Sequence, residues 1–340
     1  MSERGGSPRA LVTGAAGFVG FHTCTRLLAA GWTVLGLDNF TPYYDVALKE
    51  ARTSELSKSS RYTIERLDIS ELASLEAAWR DFAPDIVIHL AAQAGVRYSV
   101  EHPEAYVQSN LIGSFNVLEA ARRHRVRHLL AASTSSVYGA NTDMPFAETS
   151  RTATPLTFYA ATKGATELMA HSYAHLYQIP TTFFRFFSLF GPWDRPDMAL
   201  FKFTRAMLAG TAIDVYNYGE MVRDFTYVED LVEAVMRLIA CVPGKDPVAH
   251  DNLSPVAPFR IVNIGQGRPV PLMEYIKTLE RCLGVKARLN LMPLQPGEVL
   301  KTEASPALLK ELTGYVPETS VEVGMQRFVA WYQDFYGVKA

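Results

Sequence analysis

Tyr159 and Lys163 stand four residues apart in the stretch LTFYAATKGA, with only small residues between them. On a helix that spacing sets a phenol and an ammonium on one face, one turn apart. A free tyrosine, with a pKa of about 10, is a poor base at neutral pH. A neighbouring cation stabilises the phenolate and lets it take a proton from a hydroxyl. Alone, such a pair is most often an exposed helix face. Just upstream, LLAASTSSVYG reads as a strand, and side chains at strand ends in parallel sheets point into the ligand crevice. Thr134, or Ser135 one position on, could there hydrogen-bond a reacting hydroxyl and share its proton with Tyr159. For Ser133 the simpler reading is a turn cap.

A second group of residues points to a nucleotide. TGAAGFVG sets Gly14, Gly17 and Gly20 between a strand and a helix, with Phe18 and Val19 in the first helical turn. Absent side chains let the backbone turn tightly and let a pyrophosphate approach the helix N-terminus, where free N–H groups and the dipole favour anions. Three glycines alone could be a plain turn. The strand before, the helix after, and Asp38 followed by Asn39 at the end of the next strand carry the dinucleotide reading. An acid at that place grips a ribose diol and repels a 2′-phosphate, so NAD is favoured over NADP.

These residues need a scaffold, and the first half of the chain supplies one. RALVTG, TVLGLDN, RYTIERLDI, PDIVIHLAA and VRHLLAASTSSVYG read as strands. GFVGFHTCTRLLAAG, SELASLEAAWRDF and NLIGSFNVLEAARRH read as helices between them. Alternating strands and helices imply βαβ units and a parallel sheet. Apolar strands such as DIVIHLAA fit a sheet covered on both faces. From about Thr181 the texture changes: TTFFRFFSLFGP reads as one more apolar strand, followed by Pro- and Gly-punctuated pieces. DLVEAVMRLIAC, PLMEYIKTLERCLG and VEVGMQRFVAWYQDFYG read as helices and FRIVNIG as a strand. The fold expected is α/β, a Rossmann-like doubly wound parallel sheet with a smaller C-terminal α/β substrate-binding domain. Residues 1–185 form the first, with 225–265 returning to it, and 186–340 mainly the second.

Composition narrows the partners. The 340 residues are 48% hydrophobic, enough to bury a sizeable core. With 33 basic against 35 acidic residues and no basic stripe, nucleic acid is a poor partner. Cys24, Cys241 and Cys282 lie far apart and form neither a metal-type pair nor a disulfide framework, and Cys24 reads as a small buried residue. No metal site is expected. The opening MSERGGSPRA runs straight into a strand and leaves no room for a signal peptide, and no apolar run approaches membrane-spanning length. The expected location is the cytoplasm.

The GxxGxxG spacing and the later Tyr-x-x-x-Lys together resemble the extended branch of the short-chain dehydrogenase/reductase superfamily over essentially the whole chain. The resemblance implies that Asp68 and Ile69 flank the adenine of NAD. It also implies that Leu90, Ala91, Ala92 and Gln93 run beneath the dinucleotide and that Lys163 hydrogen-bonds the nicotinamide ribose. Within the branch, 4,6-dehydratases carry Asp-Glu after the threonine, and UDP-glucuronate decarboxylases carry Glu at the position of Ser136. Both acids are absent here, which leaves redox-neutral 4-epimerisation as the simplest cycle.

DNFTPYYDVALKEAR, FFSLFGPWDRPDMALFKFTRAM, IDVYNYGEMVRDFTYVEDL and QPGEV are similar to the UDP-glucuronate 4-epimerases, which interconvert UDP-glucuronate and UDP-galacturonate. That resemblance implies uracil held by the backbone at Val215 and the ring of Tyr216, and pyrophosphate held by Arg223. Arg97, Ser135, Ser136, Ser188, Arg195 and Glu298 would complete the substrate contacts. Arg223 could instead pair with Asp224, and Arg195 with Asp194 or Asp197. The family usually has Thr, Tyr and Gly where Ser188, Phe190 and Asp194 stand, and Asp in place of Glu298. A homodimer through paired helices is also implied. A UDP-glucose/UDP-galactose 4-epimerase is the nearest enzyme alternative, and a non-catalytic NAD-binding sensor the alternative of another class.

Overall fold

The computed structural model describes residues 6–244 and 247–338. Residues 1–5, which open the stretch read above as too short for a signal peptide, lie outside the described residues. The chain runs β1 (Arg9–Thr13), α1 (Phe18–Ala29), β2 (Thr33–Asp38), α2 (Val46–Leu56), β3 (Tyr62–Arg66), α3 (Leu72–Phe82) and β4 (Ile86–His89). Two single-turn helices, α4 (Tyr98–Glu101) and α5 (Pro103–Tyr106), lead through a π-helical segment, Val107–Ile112, into α6 (Gly113–His124). Then come β5 (His128–Thr134), the 3₁₀ turn Ser135–Tyr138, α7 (Phe158–Tyr177), β6 (Thr181–Phe186) and β7 (Ser188–Phe190). The rest comprises α8 (Ala199–Leu208), β8 (Ala212–Val215), the turn Tyr216–Gly219, β9 (Val222–Tyr227), α9 (Val228–Leu238), β10 (Phe259–Ile264) and β11 (Pro269–Pro271). It closes with α10 (Leu272–Leu283), β12 (Arg288–Leu291), α11 (Ala307–Thr313) and α12 (Val321–Tyr336).

Seven strands form one parallel sheet in the order β10-β6-β5-β4-β1-β2-β3. The chain winds outward from β1 in both directions, so the order reverses between β1 and β4 and leaves a crevice at the strands' carboxyl ends. The pleat divides the strand residues between two helix layers. On β1, Ala10 and Val12 join Phe21, Leu27, Leu231 and Val235 of α1 and α9, while Leu11 faces Leu75, Trp79, Val117 and Leu118 of α3 and α6. Leu11 is completely buried, and burial of such a side chain contributes roughly 1.5–3 kcal/mol.

The doubly wound α/β sheet expected from the sequence is the observed one. The run TTFFRFFSLFGP is not one strand, however. It splits at Phe187: β6 pairs between β5 and β10, whereas β7 pairs with β9 in a separate sheet with β11. A continuous apolar run hides the break because both halves are buried. Helix α2 was not anticipated, since its buried face carries Lys49, Arg52 and Thr53 beside Leu48 and Leu56 and so lacks an apolar period. The second core gathers Phe190, Phe201, Phe225, Tyr275, Met325 and Phe328 from β7, α8, β9, α10 and α12. Among the described residues no helix is long and apolar enough to cross a membrane.

Candidate active site

One cleft of about 1160 Å³ runs over the carboxyl ends of the large sheet and across to the smaller body. Its first end is the glycine turn. Gly14 has φ +72°, and the N–H groups of Gly14 and Ala15 both donate to the Leu37 carbonyl, at 2.7 and 3.2 Å. At Gly20 a Cβ would run into the Gly14 carbonyl, so helix and turn approach this closely only because glycine stands there. No side chain caps α1, which leaves N–H groups of its first turn free to meet an anion. At the end of β2, Asp38 is held by the N–H groups of Ala16 (3.1 Å) and Phe40 (2.8 Å) and by buried Lys49 at 3.5 Å. Asn39 donates to Asp68 at 2.8 Å. Burial pushes the Asp68 carboxyl up, but hydrogen bonds from Ser70 and Asn39 outweigh it and leave it below its ordinary value. A turn with free N–H groups, an acid at the second strand's end and the apolar Ile69 beside Asp68 together fit a dinucleotide.

The cleft's centre holds the Tyr/Lys pair. Thr157 caps α7 by accepting from the Ala160 N–H at 3.2 Å, so Tyr159 and Lys163 fall in its first turns. Burial raises the Tyr159 phenol above its ordinary value, while hydrogen bonding from Thr134 and the positive charge of Arg195 pull it down. Burial also draws the Lys163 ammonium down to about 8, with Glu167 opposing. Glu167, one turn beyond Lys163, is itself fixed: the Arg185 guanidinium donates to both its oxygens, at 2.9 and 2.6 Å, and the Ser133 hydroxyl donates to it as well. Ser133 is therefore a partner of this ion pair rather than a turn cap. Thr134 accepts from the Ser136 N–H at 3.2 Å and starts the 3₁₀ turn that carries Ser135 and Ser136 along the cleft wall.

Under the floor lies a polar network that sequence reading missed. The Thr13 hydroxyl accepts from the N–H groups of Leu90 and Ala91, at 3.2 and 3.1 Å, and lies 2.8 Å from His89 Nδ1. Burial, aided by the charge of Lys163, lowers the His89 pKa to about 3. Because the Thr13 oxygen already accepts two N–H groups, the neutral ring accepts from its hydroxyl at Nδ1 and donates from Nε2 to Ser114 at 3.0 Å. Asn110, fully buried in the π-helical segment, accepts from the Gln93 N–H at 2.8 Å and donates to Thr162 at 3.0 Å. It thus ties the Leu90–Gln93 floor to α7. The one sequence signal for it is that Asn110, like Asn116, is an amide in an otherwise largely apolar stretch of NLIGSFNVLEAARRH.

At the far end, Glu298 joins two arginines. Arg97 donates to it at 2.7 and 3.1 Å and lies 4.0 Å over the Tyr216 ring. Arg223 reaches it at 3.5 Å and donates to the Val299 carbonyl at 2.6 Å. The alternative pairing of Arg223 with Asp224 does not occur. Asp224 accepts instead from the backbone of Gln266, Gly267 and Ala304. Arg195 pairs bidentately with Asp197, at 2.9 and 2.8 Å, and its charge still acts on Tyr159. Asp194 is buried, with one oxygen accepting from the Arg195 N–H at 2.7 Å and the other without a partner. Burial pushes its carboxyl up to about 8.

Gly14, Gly17, Phe18, Val19, Gly20, Asp38, Asn39, Asp68, Ile69 and Leu90–Gln93 all line this cleft, as do Thr134, Ser135, Ser136, Tyr159, Lys163 and Ser188. Arg97, Arg195, Tyr216, Arg223 and Glu298 line it too. Val215 does not. Its side chain is completely buried in the second core, and its carbonyl accepts from Met292 at 2.9 Å, because β8 pairs with β12. Among the described residues, no cluster of His, Cys, Asp and Glu could hold a metal ion.

Fold and cleft together define a dinucleotide-dependent enzyme whose Tyr/Lys pair faces a second, arginine-lined subsite. Residues 10–252 match the model of the NAD dependent epimerase/dehydratase family. The chain is 52% identical to the probable UDP-glucuronate 4-epimerase of Rhizobium meliloti, over 96% of this chain and 98% of that protein. It is similar to the crystal structure of UDP-glucuronic acid 4-epimerase from Bacillus cereus in complex with UDP-glucuronic acid and NAD (TM-score 0.87, 30% identity, 96% of this chain and 100% of that one). It is also similar to the UDP-glucose 4-epimerase of Thermotoga maritima with UDP-glucose (TM-score 0.84, 27% identity, 96% and 99%). The chain belongs to the NAD dependent epimerase/dehydratase family.

Proposed function

We propose that the protein is a 4-epimerase interconverting UDP-glucuronate and UDP-galacturonate through a 4-keto intermediate, with NAD as resident cofactor. The observation that carries this reading is the placement, in one cleft, of Tyr159 with Thr134 and Lys163 between the glycine turn and the Arg97–Glu298–Arg223 cluster. The epimerase relatives supply the substrate class. Gly14, Gly17, the N-terminus of α1, Asp38, Asp68 and Lys163 would hold NAD, which supplies reversible hydride acceptance at the sugar C4. Tyr159 takes the C4 hydroxyl proton and later returns it. Thr134 holds that hydroxyl in line, and the Lys163 ammonium keeps the phenolate anionic once formed.

A 4-ketone lies β to the C6 carboxylate, and β-keto acids readily lose carbon dioxide. Ser135, Ser136 and Ser188 donate to the carboxylate and hold C5–C6 near the plane of the new carbonyl, where cleavage is poorly assisted. Arg195 supplies positive charge beside them. Arg97 and Arg223 meet the diphosphate and Tyr216 the uracil.

Residues 1–185, with 225–265 returning, serve NAD, and 186–340 mainly the UDP-sugar. Exposed apolar side chains on two neighbouring helices, among them Phe115, Leu168 and Leu176, support a homodimer through that face. The absence of any long apolar helix among the described residues supports a cytoplasmic enzyme.

The test is to incubate purified protein with UDP-glucuronate, without added NAD, and identify the product sugar. UDP-galacturonate with no net NADH is expected. Steady NADH accumulation on adding NAD marks a dehydrogenase and overturns the reading, and equal turnover of UDP-glucose favours a neutral-sugar epimerase.

A further inference from the structure

Arg52 of α2 is completely buried, although among the described residues it forms no ion pair with a carboxylate. Its guanidinium spans three segments. One nitrogen donates to the Ala16 carbonyl, inside the glycine turn, at 2.9 Å and to the Tyr44 hydroxyl at 2.8 Å. The other donates to the Trp193 carbonyl at 2.6 Å and reaches the Asp194 carbonyl at 3.5 Å. A buried charge served only by dipoles is retained when its geometry matters, and a planar fork can bridge such acceptors where an ammonium cannot.

The segment Arg52 grips is the one that carries Arg195. Trp193 has φ +64°, a conformation that side-chain-bearing residues avoid, so the loop needs outside support to keep its path. Two further contacts tie the same loop to the dinucleotide side. His22 of α1 lies 2.8 Å from the Pro192 carbonyl, and burial lowers its pKa to about 4, so the neutral ring donates there. Tyr43 donates to Asp197 at 3.1 Å, and Asp197 in turn holds Arg195. The Trp193 ring sits between Phe21 of α1 and Trp331 of α12. Of these ties, Arg52 alone reaches the Ala16 carbonyl of the turn itself.

We propose that Arg52 is a positioning residue that couples the glycine turn to the Arg195 loop, so that NAD and the uronate each tighten the other's hold. The proposal rests on the reading above, in which NAD lies on the turn and Arg195 faces the uronate. Order imposed on either end by its ligand narrows the positions open to Arg52, and therefore to the other end. Linkage makes the effect reciprocal.

The test measures release of NAD from the purified holoenzyme after rapid gel filtration, alone, with UDP, and with UDP-glucuronate. UDP lacks the uronate and serves as the probe that leaves Arg195 free. In the wild type, UDP-glucuronate is expected to slow NAD release about tenfold more than UDP does, within the usual range of coupling between sites. In Arg52→Lys, NAD release is faster without ligand, and the difference between UDP-glucuronate and UDP disappears.

Wild-type NAD release in the variant, or a wild-type difference between the two ligands, overturns the proposal. If Arg52→Lys does not fold, Tyr44→Phe removes one partner of the guanidinium and must show the same loss in smaller measure; an unchanged difference there overturns it equally. The product assay comes first. Without UDP-galacturonate from the wild type the functional reading falls, and Arg52 is then judged on ligand-free NAD release alone.

Discussion

Asp194→Asn isolates the energetic consequence of burying an acid beside the substrate loop. The wild-type carboxyl lies completely within the protein, and burial moves its pKa from an ordinary 3.8 up to about 8. The Arg195 N–H, the charge of Arg195 and that of Arg52 pull it down, and Asp197 pushes it up. The sign follows from proton binding. Below pH 3.8 both folded and unfolded chains hold the proton and Asp194 carries no penalty. Between 3.8 and about 8 the folded chain keeps a proton that the unfolded chain releases, so stability falls as pH rises. The loss is about 1.4 kcal/mol per pH step, accumulating to roughly 4 kcal/mol at pH 7 and levelling above the folded pKa. Asparagine preserves the acceptor for the Arg195 N–H and removes the titration. Its new NH₂ group meets the same dry surroundings as the unpartnered Oδ2 and adds an offset of about 1–3 kcal/mol that does not vary with pH. Urea unfolding of both proteins at pH 6, 7 and 8 reads the difference. The stability of the variant relative to wild type should climb by about 1.3 kcal/mol from pH 6 to 7 and by about 1 kcal/mol from pH 7 to 8, where the folded carboxyl begins to ionise. Parallel curves across that range would refute the argument, whatever their offset.

Four further outcomes are expected. Tyr159→Phe should lower kcat by about 10²–10⁴-fold while the purified protein keeps its NAD, measured by absorbance after denaturation; activity within a few-fold of wild type would assign the proton to another group. The alkaline limb of the kcat profile should lie near the Lys163 value of about 8, since loss of its charge removes support for the phenolate, and Glu167→Gln should move that limb lower. An unmoved limb would separate Glu167 from the chemistry. Arg223→Ala should raise KM for UDP-glucuronate by about 10–100-fold, the worth of a charge-assisted hydrogen bond, with kcat within a few-fold; a fall in kcat at constant KM would place Arg223 elsewhere. Arg195→Ala should raise the fraction of turnovers ending as UDP-pentose, read by chromatography of the products, and normal uronate kinetics without pentose would reduce Arg195 to a scaffold residue.

The legible part of this molecule is the part whose signals are local. The glycines, the β2 acid and the Tyr/Lys spacing each announce a backbone need or a helix face within a few residues, and all line the cleft. Alternating apolar strands and helices announced the doubly wound sheet for the same reason. What stayed hidden depends on distant partners. Arg52, in a segment with no apolar period, carries no sign of its role until Ala16 and Trp193 close on it. Glu167 reads as surface until Arg185 arrives from β6. The uracil expectation at Val215 concerns its backbone, and only the later strand β12 reveals that its carbonyl is already taken and its side chain turned inward. The break at Phe187 is invisible because burial on both sides makes one apolar run.

The charges around Tyr159 bear on how the site can act as both base and acid. Burial alone holds the phenol protonated, which opposes its acting as the base. Arg195 offsets this, yet its guanidinium is also engaged by Asp197, so its field at Tyr159 is partly cancelled. Burial draws Lys163 toward losing its proton, and the Glu167 carboxylate, held in place by Arg185, opposes that loss from behind. The resting protein therefore keeps the phenol neutral and holds its cations in reserve. An anionic substrate carboxylate near Arg195 would reduce the pull on Tyr159 further, leaving the Thr134 hydrogen bond as the remaining support for the phenolate in the resting site. On that argument the Tyr159–Lys163 spacing is what proton removal needs.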